Sequence, residues 1–174
     1  VRGVFLNTGE PDPADPCFNY GYGETEDYGI TITNNGGSGP CIPTSLAGTD
    51  DGDFVDGVQL GSIDNTGSGG VAGPTYNDYT AQSTDLTRGE EYVLTITSGE
   101  YDTDIVGAWI DFNANDVFEV GELLGEAVTS TSFENVDLTF TVPNDAALGT
   151  TLLRVRCVFS DDPEPTNADP CFNF

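Results

Sequence analysis

The chain contains no histidine, no lysine and no methionine, and its four basic residues are all arginines. The absence of histidine and lysine removes the commonest general bases and all lysine Schiff-base chemistry. No Gly-rich phosphate loop follows a strand, and no pair of carboxylates is marked out as a glycosidase pair. We therefore expect a protein that is not an enzyme. Isopeptide crosslinks that need lysine are excluded as well.

Long hydrophobic runs are also missing, so no membrane insertion is expected. Because basic residues are few, the 30 acidic residues give a formal net charge of −26. A surface of this sign repels nucleic acid, which is therefore not an expected partner, and it favours solubility and cation binding. The 22 glycines and 10 prolines are typical of a turn-rich extracellular β protein.

The first twenty residues recur as the last twenty. Residues 1–20 align without a gap on residues 155–174, at a constant offset of 154 and with 12 identical positions. A period of this length indicates a whole domain repeated along an array. The sequence therefore favours a structural role, in which repeated domains are linked into a long array. The first expected partner is a further copy of the chain, joined head to tail.

Short segments in which apolar and polar residues alternate predict strands. The clearest is 135–142, where one face carries Val136, Leu138, Phe140 and Val142. Similar segments lie at 27–33, 57–63, 91–97, 105–112 and 152–159. Because Gly, Pro and Asn turns separate them, we expect an all-β fold, an antiparallel β-sandwich of the jelly-roll or immunoglobulin-like type.

The same alternation assigns a role to one cysteine. It places Cys157 on the apolar face of its strand, while Arg154 and Arg156 face outward. The equivalent position in the first copy is Gly3, so the repeat does not require a thiol there. We therefore expect Cys157 to be a free, buried thiol.

The other three cysteines allow two alternative disulfides. Cys17 and Cys171 are equivalent positions of successive copies. Cys41 with Cys171 would join the two ends of one domain, whereas Cys17 with Cys41 would lock the junction between two domains. Either bond implies an oxidising compartment, which predicts a secreted or cell-surface protein.

The strongest chemical motif runs from Asp111 to Glu122. Counted from Asp111, oxygen-bearing side chains fall at positions 1, 3, 5, 9 and 12, and a main-chain carbonyl is available at position 7. This is the ligand spacing of a calcium loop, and the predicted ligands are Asp111, Asn113, Asn115, Val117, Glu119 and Glu122. Two features differ from such loops: position 6 is Asp116 instead of glycine, and a strand leads in. Asx turns that cap their own backbone are the alternative.

Two other acidic segments are weaker candidates. Glu24, Glu26 and Asp27 predict either a second cation site or an ordinary strand whose acids bond to backbone or arginine, with neither favoured. The Asp-rich turn at 49–53 is too compressed for a full calcium loop, so we expect it to be solvated.

The ordered set of motifs resembles the GEVED domain of secreted bacterial proteins. The match includes Gly-Glu-Thr-Glu-Asp-Tyr at 23–28, Trp-Ile-Asp-Phe-Asn at 109–113 and Gly-Glu at 121–122; its other segments are 57–65, 76–80, 149–156 and 170–171. The resemblance implies a calcium-binding β-sandwich of cell-surface or secreted proteins, often in tandem and often adhesive. The resemblance also implies that Asp111, Asn113, Asn115 and Glu122 bind calcium. Further partners that it implies are glycans, or the surface of a host or of a neighbouring cell.

The order of these motifs implies an incomplete domain. In the family, the Gly-Glu-Thr-Glu-Asp-Tyr strand closes the domain after the Pro-Cys element, whereas here it lies at 23–28, before a domain that begins near Cys41. We expect residues 1–33 to end the preceding repeat, 34–40 to be a linker, and 41–174 to form a sandwich that lacks its last strand. The segment that completes a neighbouring copy contains Asp27, Tyr28, Ile30 and Ile32.

These features together predict a structural repeat of an extracellular bacterial filament or adhesin, assembled head to tail and stabilised by calcium. Assembly proceeds either by strand donation between subunits or by tandem covalent linkage. The alternative is a calcium-dependent carbohydrate-binding module, which would need exposed aromatic side chains. Trp109, the single tryptophan, could lie on either face of its strand.

Overall fold

The computed structural model describes residues 23–33, 41–43, 49–159 and 170, with only the backbone course given for 23–33. Nine strands and one 3-10 turn (Val120–Glu122) form the regular structure of these residues. The strands are β1 (Gly23–Thr33), β2 (Val55–Leu60), β3 (Ile63–Thr66), β4 (Tyr76–Asp85), β5 (Glu91–Ser98), β6 (Asp104–Ile110), β7 (Leu123–Val128), β8 (Asn135–Thr141) and β9 (Gly149–Phe159).

The strands form two sheets that pack on one hydrophobic core. One sheet has the order β4-β1-β9-β6-β7 and the other β3-β2-β5-β8. Neighbouring strands are antiparallel except β1 and β4, which run parallel. Core side chains come from both sheets, among them Val58, Leu94, Ile96, Val106 and Leu153. The predicted all-β sandwich is therefore confirmed, with one parallel pair that the sequence did not indicate.

Alternation explains the half-buried strands. In β8, Val136, Leu138 and Phe140 are buried while Asp137 and Thr139 are exposed, as the period of two requires. In contrast, β6 is buried along its whole length, because its second face is covered as well. A strand that packs on both faces reads as a continuous apolar run.

The predicted segment 57–63 is divided between two strands. β2 ends at Leu60 and β3 begins at Ile63, with Gly61 at a φ of 57° in the tight turn between them. Glycine adopts this left-handed conformation without steric cost. β3 was not predicted as a separate strand, and β4 and β7 were not predicted at all. Half of the β4 residues are exposed and most are polar, so no hydrophobic period marks this strand.

The outer face of the five-stranded sheet is covered. Arg154 and Arg156 point away from the core, as expected, but both are buried rather than solvated. Cys157 lies in the core as a thiol that forms no disulfide, which confirms its prediction. Cys17, Cys171 and the predicted linker 34–40 fall outside the described residues.

Strand β1 occupies the interior of its sheet. It pairs antiparallel with β9 from Gly23 to Thr33 and parallel with β4 on its other side. The segment predicted to complete a sandwich therefore lies between two strands of this chain, and it carries Asp27, Tyr28, Ile30 and Ile32. Donation of the strand by a neighbour stays a prediction.

None of the helical structure in the described residues is long and apolar enough to cross a membrane, since it consists of one three-residue turn.

We predict that Gly29→Ala weakens the sheet at β1. Gly29 lies at a register shift between β1 and β4, and a Cβ placed on it would be 2.6 Å from the Thr80 carbonyl oxygen. Backbone cannot yield as a side chain does, so the free energy of unfolding should fall by about 1–3 kcal/mol. Urea denaturation measures this. Gly70→Ala is the control, because no atom lies within 4 Å of the Cβ position there, and equal effects of the two substitutions would contradict the prediction.

Candidate metal-binding loop

The predicted calcium loop connects two neighbouring antiparallel strands. Asp111 directly follows β6, and Glu122 directly precedes β7. Because the strands are hydrogen-bonded neighbours, the first and last residues of the motif are held near each other. Their carboxylates are buried, with 4% of Asp111 and 5% of Glu122 exposed.

Strand β9 fixes the start of the loop. The Asp111 N–H donates to the Leu152 carbonyl at 3.1 Å, and the Thr151 hydroxyl donates to the Asp111 carbonyl. Thr151 is itself buried. The main chain of Asp111 is therefore held at both polar groups before the loop leaves the sheet.

The two buried carboxylates organise the loop between them. Asp111 accepts the N–H of Asn115 at 3.1 Å and that of Asp116 at 2.9 Å, one on each oxygen. Glu122 accepts the N–H of Asn113 at 3.2 Å and that of Glu119 at 2.9 Å, again one on each oxygen. The carboxylates thus bind the backbone from opposite ends of the motif.

The structure explains the unusual residue at position 6. Asp116 has a φ of 63°, and Ala114 two residues earlier has a φ of 54°. Both values lie in the left-handed region, where glycine is favoured and aspartate is among the better tolerated side chains. Asp116 therefore supplies the tight curve that glycine gives in similar loops.

Asx turns are present as well, as the alternative prediction proposed. The side-chain oxygens of Asn113 and Asn115 accept the N–H groups of Asn115 and Val117, at 3.0 and 2.8 Å. Their amide nitrogens donate to the Glu119 carboxylate, at 3.0 Å from Asn113 and 3.5 Å from Asn115. All six predicted ligands thus belong to one curled loop, in which amide and carboxylate groups face each other.

Burial raises the pKa of the carboxyl groups at the two ends of the loop. Desolvation raises the pKa of Asp111 above its ordinary value, the N–H bonds lower it, and the charge of Asp116 raises it. Desolvation likewise raises the pKa of Glu122; its N–H bonds lower it, and the charges of Asp111 and Glu119 raise it. Burial therefore disfavours the charged form of both carboxyls by more than their N–H donors offset.

The donor chemistry of the loop fits calcium. Every candidate ligand is a hard oxygen, and each carboxylate oxygen keeps a second lone pair beside its N–H bond. Within the described residues, no three Asp, Glu, His or Cys side chains form a group able to hold a metal. A calcium ion here would therefore take the rest of its roughly six to eight oxygens from amide and main-chain carbonyls and from water.

The loop is open to solvent on one side. A pocket of about 160 Å³ is lined by Phe112, Asn113, Gly121, Glu122, Pro143, Asp145 and Ala146. Asp145, which comes from the segment before β9, adds a further carboxylate to its rim. A hydrated cation can therefore reach the Glu122 side of the loop without a change in the fold.

An arginine that sequence reasoning assigned to solvent connects the loop with distant chain segments. The Arg154 guanidinium lies over the Phe118 ring of the loop, 4.8 Å from its centroid. It also donates to the carbonyls of Cys41 at 2.7 Å and Pro170 at 2.6 Å. One buried cation thus holds together the loop, the start of the predicted domain and the residue before Cys171. The signal available in the sequence was its rarity, since the chain has only four basic residues.

The acids of β1 are placed by register alone. Glu24 pairs with Cys157, Glu26 with Val155 and Asp27 with Arg154 on β9. Their side chains lie outside the described part of the chain, so the second cation site predicted there stays a prediction.

The single tryptophan does not provide a sugar-binding surface. Trp109 is 2% exposed and lies in β6, on the covered face of the sheet. Tyr79 of β4 packs against the core as well. The carbohydrate-binding alternative therefore gains no support from these aromatic residues.

Comparison with known proteins gives one match. Residues 105–174 match the family model of the GEVED domain, which confirms the resemblance of the motifs. The matched part begins in β6 and includes the whole 111–122 loop and β9. No curated protein and no solved structure matched the chain.

We predict that calcium stabilises the protein chiefly through Asp111 and Glu122. At a calcium concentration about 100 times Kd, the Tm of the unmodified chain should rise by roughly 5–10 °C relative to chelator. Asp111→Asn with Glu122→Gln should lose most of this rise, because two charged ligands are gone. Differential scanning fluorimetry with and without calcium measures it. Asp85→Asn, an exposed substitution in β4, is the control, and a double variant that responds like the unmodified chain would refute the site.

We predict that Arg154→Lys is strongly destabilising although it keeps the charge. Lysine cannot span the Phe118 ring and two carbonyls with a planar fork, and the buried carbonyls would lose donors. The free energy of unfolding should fall by about 2–4 kcal/mol. Chemical denaturation compares it with Arg88→Lys, an exposed arginine that bonds to the Ala146 carbonyl. Losses of similar size would show that Arg154 has no special role.

Proposed function

We propose that this chain is a structural repeat of an extracellular filament or adhesin, in which copies join head to tail through β1 and calcium stabilises each unit. The observation that carries the proposal is the position of β1. An 11-residue strand from the start of the described chain lies inside the sheet, with hydrogen-bonded neighbours on both sides.

The sandwich needs this strand. Without β1, the facing edges of β4 and β9 would both be left with unpaired N–H and C=O groups. Such edges pair with other chains unless they are filled. The place between β4 and β9, which we term the β1 slot, therefore requires an extended segment, whichever copy supplies it.

The internal similarity supports supply from an adjacent repeat. Residues 155–159, the end of β9, recur as residues 1–5, which precede β1 in sequence. In an array, every copy of the β9 sequence would thus be followed by a copy of β1. The β1 slot of one repeat can then be filled by the segment before it or by the equivalent segment of the next copy.

Calcium and a disulfide fit the same role. A net charge of −26 opposes close contact of units, and bound cations offset part of it. Arg154 binds the carbonyls of both Cys41 and Pro170, which brings Cys41 near the residue before Cys171. This contact favours the Cys41–Cys171 pairing, which would join the two ends of one domain.

Cysteine crosslinking tests which copy fills the slot. Thr31 of β1 pairs with Thr150 of β9, and paired Cα atoms in antiparallel strands lie about 4.5–5.5 Å apart, within reach of a disulfide. Chains with Thr31→Cys are mixed with chains with Thr150→Cys under assembly conditions and oxidised. We expect a covalent heterodimer on a non-reducing gel, and extended fibres of the unmodified chain in negative-stain micrographs.

The matched control moves the second cysteine to the other sheet. Thr139 is exposed in β8, so Thr31→Cys with Thr139→Cys should give no crosslink. If the mixed chains stay monomeric while a chain carrying both Thr31→Cys and Thr150→Cys closes on itself, strand exchange between separate subunits is refuted. Glycan-array binding abolished by chelator, without fibres, would instead support the carbohydrate-binding alternative.

A further inference from the structure

Two acidic segments meet at the end of the sandwich opposite the 111–122 loop. One is 51–53, in the turn before β2, and the other is 102–104, where β6 begins. Asp53 is 2% exposed and Asp104 is fully buried, and their carboxyl groups are in hydrogen-bond contact. The sequence predicted a solvated turn at 49–53, whereas the structure places one carboxyl of this turn in the interior.

A shared proton satisfies the contact between these two carboxyl groups, which we term the carboxyl pair. The Asp104 Oδ2 atom accepts the Cys157 thiol at 3.1 Å, and the Oδ1 atoms of Asp53 and Asp104 are buried without a hydrogen bond to any other described group. Two charged carboxylates at this distance, away from water, would be strongly unfavourable. One proton between them replaces the repulsion by an O–H bond to a carboxylate, which is a strong hydrogen bond.

Burial decides which member of the carboxyl pair holds the proton. The pKa of Asp104 is raised to about 8, chiefly by desolvation and next by the contact with Asp53; the thiol lowers it, and the charges of Asp53 and Asp102 raise it. Desolvation also raises the pKa of Asp53, but the contact with Asp104 lowers it, and the charge of Asp51 raises it. At neutral pH, Asp104 is therefore the O–H donor and Asp53 the charged acceptor.

The described groups that face the carboxyl pair supply no positive charge. Asp51 and Asp102, each two residues before a member of the pair, are exposed acids. β9 contributes the Cys157 thiol, and the residue after β7, Thr129, contributes a hydroxyl that accepts a main-chain N–H of β6 at 2.8 Å. In β1, Glu24 has the register position of Cys157. Neutral and acidic groups therefore surround the pair.

The arginines of the described residues bind elsewhere. Arg154 lies over the Phe118 ring, and Arg88 donates to the Ala146 carbonyl. Arg156 precedes Cys157 on β9, and successive strand residues point to opposite faces, so its side chain points away from the face on which the thiol meets the pair. When the pair loses its proton, none of these arginines replaces that positive charge.

The carboxyl pair connects the two sheets. Asp53 precedes β2 of the four-stranded sheet, and Asp104 begins β6 of the five-stranded sheet. Beside the pair, the Tyr101 N–H donates to the Gly52 carbonyl at 3.2 Å, so the turn at 49–53 also contacts the segment before β6 through its backbone. Repulsion within the pair would act directly on this contact between the sheets.

We propose that the proton shared by Asp53 and Asp104 is a pH-sensitive switch that closes this end of the sandwich. In acidic and neutral solution the protonated pair holds the turn at 49–53 against β6. In mildly alkaline solution the pair loses its proton, and the turn separates from β6. The start of β1 lies at the same end, since its Glu24 pairs with Cys157, so the switch also acts where β1 enters the sheet.

The sign of the pH dependence follows from the raised pKa of Asp104. In the unfolded chain this carboxyl loses its proton near its ordinary pKa of 3.8, whereas in the folded chain it keeps the proton up to a pH of about 8. The folded state therefore binds one more proton between these values. Stability is highest below this window, falls as the pH rises through it, and levels off above it.

Urea denaturation at pH values from about 6 to 8, in chelator, tests the switch independently of calcium and of assembly. Asp104→Asn keeps the shape of the side chain and can donate to Asp53, but it has no proton to lose. We expect the unfolding constant of the unmodified chain to rise about tenfold more per pH unit than that of Asp104→Asn, because one proton is released. Asp85→Asn, exposed in β4, is the charge-matched control and should behave like the unmodified chain.

Equal slopes for the unmodified chain and Asp104→Asn would overturn the proposal. A second measurement needs no variant and covers the case in which Asp104→Asn does not fold. In carbon-13 NMR spectra of the unmodified chain, the Asp104 carboxyl should titrate near pH 8, and the hydrogen-exchange protection of the Tyr101 N–H should fall with it, while that of Leu94 in β5 is unchanged. An Asp104 carboxyl that titrates at its ordinary pKa, or a Tyr101 N–H that keeps its protection, would refute the switch equally.

Discussion

The rest of the structure depends on the pairing of β9 with β1 and β6. β9 pairs with β1 on one side and β6 on the other from Leu153 to Val158, so it lies in the interior of the sheet. Its side chains also reach both acidic ends of the sandwich. Thr151 donates to the carbonyl of Asp111, and the Cys157 thiol donates to Asp104. A single strand thus positions the β1 slot, the 111–122 loop and the buried Asp104.

The second constraint is charge. The chain has 30 acidic and 4 basic residues, and yet four carboxyl-bearing residues are buried in the part that the structure describes, two at each end of β6. The Asp111 and Glu122 pair is satisfied by backbone N–H groups, whereas Asp53 and Asp104 contact each other and Asp104 also accepts the Cys157 thiol. Burial of this kind persists only where something offsets it. The backbone N–H groups that offset the charge of Asp111 and Glu122 come from the 111–122 loop itself, so the fold of this loop and the burial of its two end residues depend on each other.

The sequence predicted those features whose signal is local. The strands β5 and β8 follow a period of two, so both were found. The ligand spacing of 111–122 corresponds to one curled loop between β6 and β7, and calcium binding there stays a prediction. Asp53 was misjudged because a turn sequence shows tight curvature but not what packs on it. Its burial comes from contact with Asp104, 51 residues later. Likewise, the alternation of β9 correctly predicted that Arg154 points away from the core. It did not predict that Arg154 is buried, because the residues that bind it, Cys41 and Pro170, are distant in sequence.

The register of β1 bears on whether an open slot leads to order or to aggregation. A sheet edge accepts any extended chain, and a slip of one residue would reverse which face each side chain meets. Gly29 limits this freedom, because it lies against the Thr80 carbonyl where a Cβ would come within 2.6 Å. A slip in either direction would bring Tyr28 or Ile30 to that position. The backbone of β4 therefore accepts β1 in one register, and repeats joined through β1 as proposed would have a fixed spacing.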